Sequence, residues 1–168
     1  MISTGRLAAT TSLAALLALS NWACKPEFHQ ALPPDVEAHF AAANSWDVYE
    51  AGFFNDSSRR MVEIAGRRID AGSRKVTVSG EQRAQLLAAI RAGVAAEAHN
   101  PPTLVLAVGS GYLVAANHGG REMAMAFQFL EPPRINFYGA DPSGDAFVNT
   151  DSSPREVLSE LFESESSR

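Results

Sequence analysis

Apolar and polar positions alternate most cleanly near the middle of the chain. Over residues 122–130, Met123, Met125, Phe127 and Phe129 share one side, while Glu122, Ala124, Ala126 and Gln128 share the other. A period of two is that of a β-strand with one buried face. Residues 103–108, 111–116 and 134–138 read as strands beside it. Gly109-Ser110-Gly111 and Asn117-His118-Gly119-Gly120 supply hairpin turns, and Pro132-Pro133 a tight break.

That alternating face needs an apolar partner, and the segment before it provides one. In residues 79–97, Leu86, Leu87, Ile90 and Val94 recur at three- and four-residue spacing and make one helical stripe among alanines. Ser79 and Gln82 stand as a capping-box pair, and Asn100-Pro101-Pro102 ends the helix. Gly93 interrupts it, which allows close approach to the sheet. Upstream, residues 46–54, 61–65 and 75–78 alternate as strands, with a turn at 55–58 and punctuation at Gly66 and Gly72. Residues 35–43 have Asp35 at a helix cap, with Val36, Phe40 and Ala43 on one face. Residues 141–145 read as a loop, and 151–162 as a closing helix with Val157, Leu158 and Leu161 apolar.

Strands, helix, strands, helix is an α+β order. It predicts a single antiparallel sheet with one main helix and a C-terminal helix packed on one face. The expected division is a signal peptide at 1–23, a tether at 24–34 carrying Pro26, Pro33 and Pro34, a single α+β domain at 35–162, and a polar tail at 163–168.

Charge and cysteine content narrow the function classes. The 168 residues carry a formal net charge of −5, and Arg6 is the one charged side chain among residues 1–23. An acidic body argues against general nucleic-acid binding, which needs clustered cations. One cysteine, Cys24, excludes an intrachain disulfide. Its position matters more than its number. Arg6 and then an apolar run from Leu7 to Leu19 have the layout of an export signal, too short for a membrane span. Leu19-Ser20-Asn21-Trp22-Ala23-Cys24 resembles a bacterial lipoprotein signal, in which the cysteine is acylated and becomes the mature N-terminus. Ala23 fits that pattern; Asn21 and Trp22 depart from it. Cleavage after Ser20 is the rival reading and would release a soluble protein with a free thiol.

Little in the sequence carries nameable chemistry. His29, His39, His99 and His118 lack a partner at metal-ligand spacing. Gly109-Ser110-Gly111 has strands on both flanks, whereas a nucleophile elbow joins a strand to a helix. Asp141 and Asp145 flank a turn without the ligand density of a calcium loop. No catalytic residue, cofactor or metal site is assigned. Arg59, Arg60, Arg67, Arg68, Arg74 and Lys75 cluster in one segment. They read first as edge-strand charge that blocks unwanted pairing, and second as a patch for anionic headgroups or an acidic partner. The sheet face opposite the helix, with Ala124, Ala126, Gln128, Asn136 and Tyr138, is the candidate interaction face, centred on Gln128, Asn136 and Tyr138.

The element order resembles that of a group of small, largely uncharacterised bacterial proteins. Their pattern is an aromatic strand, an amphipathic helix, a strand with a Cys-Phe-x-Pro-Arg-His-like motif and a strand ending Cys-Phe-x-Cys. The first motif falls on Leu106-Ala107-Val108-Gly109-Ser110-Gly111 and the second on Ala126-Phe127-Gln128-Phe129. Phe127 matches, while the cysteines and the Pro-Arg-His are replaced. The resemblance is one of layout over residues 46–138; it implies an architecture and transfers no functional residue.

The expectation for function is an exported, non-enzymatic envelope lipoprotein, held to the membrane through Cys24 and binding an envelope protein partner. The other class is an enzyme or small-ligand binder whose pocket leaves no mark in the sequence.

Overall fold

The computed structural model describes residues 27–51, 60–72, 74–100, 111–129, 131–141 and 144–166. The expected leader, Cys24, the turn at 55–58, the strand at 103–108 and the Gly109-Ser110 turn lie outside them.

Twelve elements follow one another among the described residues. They are β1 (Glu27–His29), α1 (Pro34–Ala42), β2 (Ser45–Ala51), β3 (Arg60–Ile64), β4 (Arg67–Ala71), β5 (Lys75–Ser79), α2 (Gly80–Glu97), β6 (Gly111–His118), β7 (Arg121–Gln128), β8 (Arg134–Asp141), β9 (Gly144–Asn149) and α3 (Ser153–Ser166). Seven strands form one sheet in the order β1-β9-β8-β7-β6-β2-β5, and β3 and β4 pair separately. The class is the α+β expected, and the large sheet is antiparallel except where β1 runs parallel to β9. Part of the expected tether is therefore strand: Glu27, Phe28 and His29 pair with Ala146, Phe147 and Val148.

Registers carry the alternation of β7 across the whole sheet. One row runs Ala146, Phe137, Met125, Val114, Val48 and Val76. With Phe127, Met123, Ile135 and Val148 it makes the floor of the main core. All three helices lie on that floor and bury Val36, Phe40, Leu86, Ile90, Val94, Leu158 and Phe162. Each large apolar side chain so buried is worth roughly 1.5–3 kcal/mol. α1 lies over β6, β7 and β8, while α2 runs from β5 towards β9. Glu37 of α1 and Arg91 of α2 join the two helices, with Arg91 Nε donating to Glu37 Oε1 at 2.7 Å.

Three local expectations change. Ser79 holds an extended conformation at the start of α2 and makes no side-chain cap, so the capping box is not formed. The chain instead turns from strand to helix at Gly80, whose φ of +53° suits glycine. Gly93 makes room for the join between β9 and α3, not for the sheet. A Cβ there would meet Thr150 Oγ1 at 2.5 Å and Asp151 Oδ1 at 2.6 Å. Finally, β1 and β4 stand where the pattern predicted tether and punctuation, and β9 begins at the end of the predicted loop 141–145 and runs on through residues that carry no predicted element.

Candidate interaction surface

The second face of the sheet is where the architecture departs most from its sequence pattern. The neighbouring row there runs Phe28, Phe147, Asn136, Ala126, Leu113, Tyr49 and Lys75 from one edge to the other. Cross-strand partners share a face, so this row crosses all seven strands. Its centre is not open. The β3–β4 hairpin lies over it, and Ile64 forms a second apolar cluster with Leu113, Ala115, Ala124 and Ala126. Ala124 and Ala126, expected at an exposed face, are 1% and 5% exposed. Their small side chains leave the depth that the hairpin fills.

The hairpin is fixed at both ends. At its turn, Ala65 and Gly66 have φ of +52° and +73°, the left-handed pair of a tight two-residue hairpin. Ala65 N–H donates to Glu122 Oε2 at 2.7 Å. Beneath it lies Gly139, at φ +77° in the irregular part of β8, where a Cβ would stand 2.8 Å from Ala65 Cβ. At the other end Gly72 N–H donates to the Glu50 carbonyl. The hairpin thus runs obliquely from β7 and β8 to the far end of β2.

What the hairpin leaves uncovered divides in two. Towards β5, Lys75 ion-pairs with Asp47 at 2.7 Å and sits over the Tyr49 ring, and Thr77 Oγ1 donates to Asp47 Oδ1. The hydrogen bond and charge of Asp47 push the Lys75 ammonium up from its ordinary pKa. Towards β1 lie the three residues of the candidate face. Gln128 is half-buried and accepts from Arg134 Nε at 2.6 Å. Asn136 is half-buried beside Phe147. Tyr138 packs against the second cluster at the hairpin's flank. The structure thus groups Gln128 and Asn136 with Arg134, Phe147 and Phe28. The aromatic pair is not legible in the sequence, because neither β1 nor β9 carries a strand pattern of its own.

A second polar and aromatic group lies on the helix side, at the end of the sheet where α3 finishes. Tyr112 stacks on Phe162 at 5.6 Å and meets Phe129 edge-on at 6.0 Å. Arg74 lies over the Phe162 ring, donates to the Phe162 carbonyl at 2.7 Å and ion-pairs with Glu50 at 3.1 Å. Arg155 lies over Phe129. Burial pushes the Tyr112 phenol above its ordinary pKa, Glu50 adds to that, and Arg155 and Arg74 oppose it. Arg74 and Lys75, two members of the basic segment, are thereby engaged in holding β5 to β2 and α3.

The histidines do not converge. His39 is buried and its Nε2 donates to the Ala116 carbonyl at 3.1 Å, which fixes the proton on that nitrogen. Its ring meets that of His118 edge-on at 6.0 Å. His29 Nε2 lies 4.0 Å from Glu27 Oε2, and His99 is exposed beyond α2. Among the described residues no three of His, Cys, Asp and Glu stand together as a metal site. No described helix is long and apolar enough to cross a membrane. Comparison with protein-family models, with curated proteins and with solved structures finds no match.

Proposed function

We propose that the chain is an envelope lipoprotein, anchored through an acylated Cys24, whose α+β domain acts as a binding module for another envelope protein. The observation that carries this reading is the leader. A basic start and a short apolar run to Leu19 are followed, after Ser20-Asn21-Trp22, by Ala23-Cys24, in a chain with no other cysteine. A thiol placed there has a use as an acylation point that needs no partner cysteine. Each buried methylene of the lipid contributes about 0.8 kcal/mol, so a multiply acylated residue holds the domain without a spanning helix. The binding role is supported by the sector of the outer face around Gln128 and Asn136 that no described element covers, where half-buried polar groups lie beside aromatic rings.

The test is expression with the native leader in a bacterial host, followed by intact-mass analysis of the membrane fraction. The expected mature chain starts at Cys24 and carries lipid. Cys24→Ala moves the protein to the soluble fraction. A native chain that starts at Asn21 with an unmodified thiol overturns the reading.

A further inference from the structure

We infer that Phe28, Phe147 and Arg134 form the surface by which the domain rests on the lipid headgroup region of the membrane that holds it. This rests on the acylation of Cys24 proposed above and adds which part of the domain touches the bilayer.

Chain length carries the argument. Glu27 is held opposite Ala146, so the edge strand β1 is a fixed point of the sheet. Three residue steps separate it from Cys24. Fully extended, they reach at most about 11 Å. A lipid on Cys24 therefore brings the β1 edge to the headgroups, with no long tether to let the domain turn away. The opposite edge, β5, is the seventh strand of the sheet. At the ordinary strand separation it stands roughly 29 Å further off.

The chemistry at the β1 edge fits that neighbour. The Phe28 and Phe147 rings are tilted against each other at 5.4 Å, both half-buried on the outer face. They belong to neither apolar cluster of the domain. The Arg134 guanidinium stands 5.8 Å from the Phe147 centroid, held by Gln128. Two ring bodies flanked by a cation match the boundary between acyl chains and phosphate groups: the rings enter the apolar side while the guanidinium binds phosphate oxygens. Glu27 and His29 pair with Ala146 and Val148 and so point to the other face of β1, where His29 Nε2 lies 4.0 Å from Glu27 Oε2.

The acylated protein is placed in vesicles of phosphatidylethanolamine and phosphatidylglycerol containing a nitroxide-headgroup lipid. Phe147→Trp and Phe28→Trp report from the proposed surface, and Gln82→Trp from the exposed start of α2 beside the far edge. Trp46, 1% exposed, gives a constant background. The expected result is strong quenching at 147 and 28 with none at 82. Equal quenching at all three sites, or quenching confined to 82, in protein of acylated mass overturns the docking surface and leaves the anchor standing. A mass without lipid overturns the anchor and the docking with it.

Discussion

The indole Nε1 of Trp46 donates to the carbonyl of Phe40 at 3.0 Å, and the two rings meet edge-on at 5.3 Å. Phe40 lies in the last turn of α1, whose carbonyls have no partner within the helix. His39, one residue earlier, has its carbonyl taken by Ala43 N–H at 3.0 Å. Trp46 thus closes the end of α1 from the first turn of the next strand. Both residues are at most 1% exposed, so water cannot substitute. Trp46→Phe keeps an aromatic ring but removes the indole N–H and part of the buried volume, and leaves that carbonyl unpaired. The expected loss is about 1–3 kcal/mol, read as a lower urea midpoint at unchanged slope. An unchanged midpoint would show the bond to be idle.

Gly93 sets helix propensity against packing. In an open helix, Gly→Ala gains about 1 kcal/mol. Here the added methyl meets Thr150 and Asp151, and Asp151 N–H donates to the Gly93 carbonyl at 3.2 Å, so α2 cannot shift away freely. Asp151 Oδ1 also accepts from Ser153 N–H at the start of α3. Gly93→Ala is expected to destabilise by roughly 1–3 kcal/mol, as overpacked cores do. A raised melting temperature would mean that the join between β9 and α3 yields.

Gly139 decides whether the hairpin stays down. A side chain there collides with the Glu122 carbonyl at 2.7 Å and with Ala65, at a φ that only glycine adopts readily. Gly139→Val should lift the turn of β3–β4 while the helix-side core stays folded. Hydrogen exchange would then speed up at residues 62–65, with α2 remaining protected. Protection unchanged in the hairpin would place its support elsewhere.

Alkaline pH tests the Tyr112 cluster. The phenol of the folded state is raised above its ordinary value of 10.0, chiefly by burial. The unfolded chain therefore loses this proton first. The stabilising contribution is complete below pH 10 and is lost as pH rises through the folded-state value. Lys75, raised above 10.5 by Asp47, acts in the same direction. Tyr112→Phe should flatten the fall in melting temperature between pH 9.5 and 11, relative to the parent chain, as no more than about one proton per molecule is removed from the linkage. An identical slope in the variant would assign the alkaline loss to Lys75 and its neighbours.

The elements with strong local patterns were legible in the sequence. The Leu/Ile stripe of α2, the alternation of β7 and the glycine turn between β6 and β7 each declare themselves within a few residues. Gly119 and Gly120 adopt φ of +63° and +78°, as a two-residue hairpin turn requires. What stayed hidden depends on distant partners. β1 is three residues long and exists by pairing with β9. β9 opens at the end of a Pro-Ser-Gly run whose sequence reads as loop, and β4 carries two arginines and an aspartate among five residues. Ala124 and Ala126 are buried in one cluster with Ile64 of the hairpin, far away in sequence. Small residues on the polar face of a strand look the same whether water or a hairpin lies above them. The face expected to lie open is therefore covered at Ala124 and Ala126, and Asn136 stands in one row with Phe147 and Phe28.

The pairing of β1 with β9 also orders the making of the fold in time. Glu27 stands near the start of the described chain and Ala146 near its end. β2 likewise waits for β6 before it has its second neighbour. Contacts this remote in sequence form late, because the loop between them must close first. During synthesis the segment that becomes β1 has no strand to join until the last strand has emerged. The N-terminal edge is thus a seam that cannot close before β9 has been made, and any event that opens it frees β1 from its strand partner.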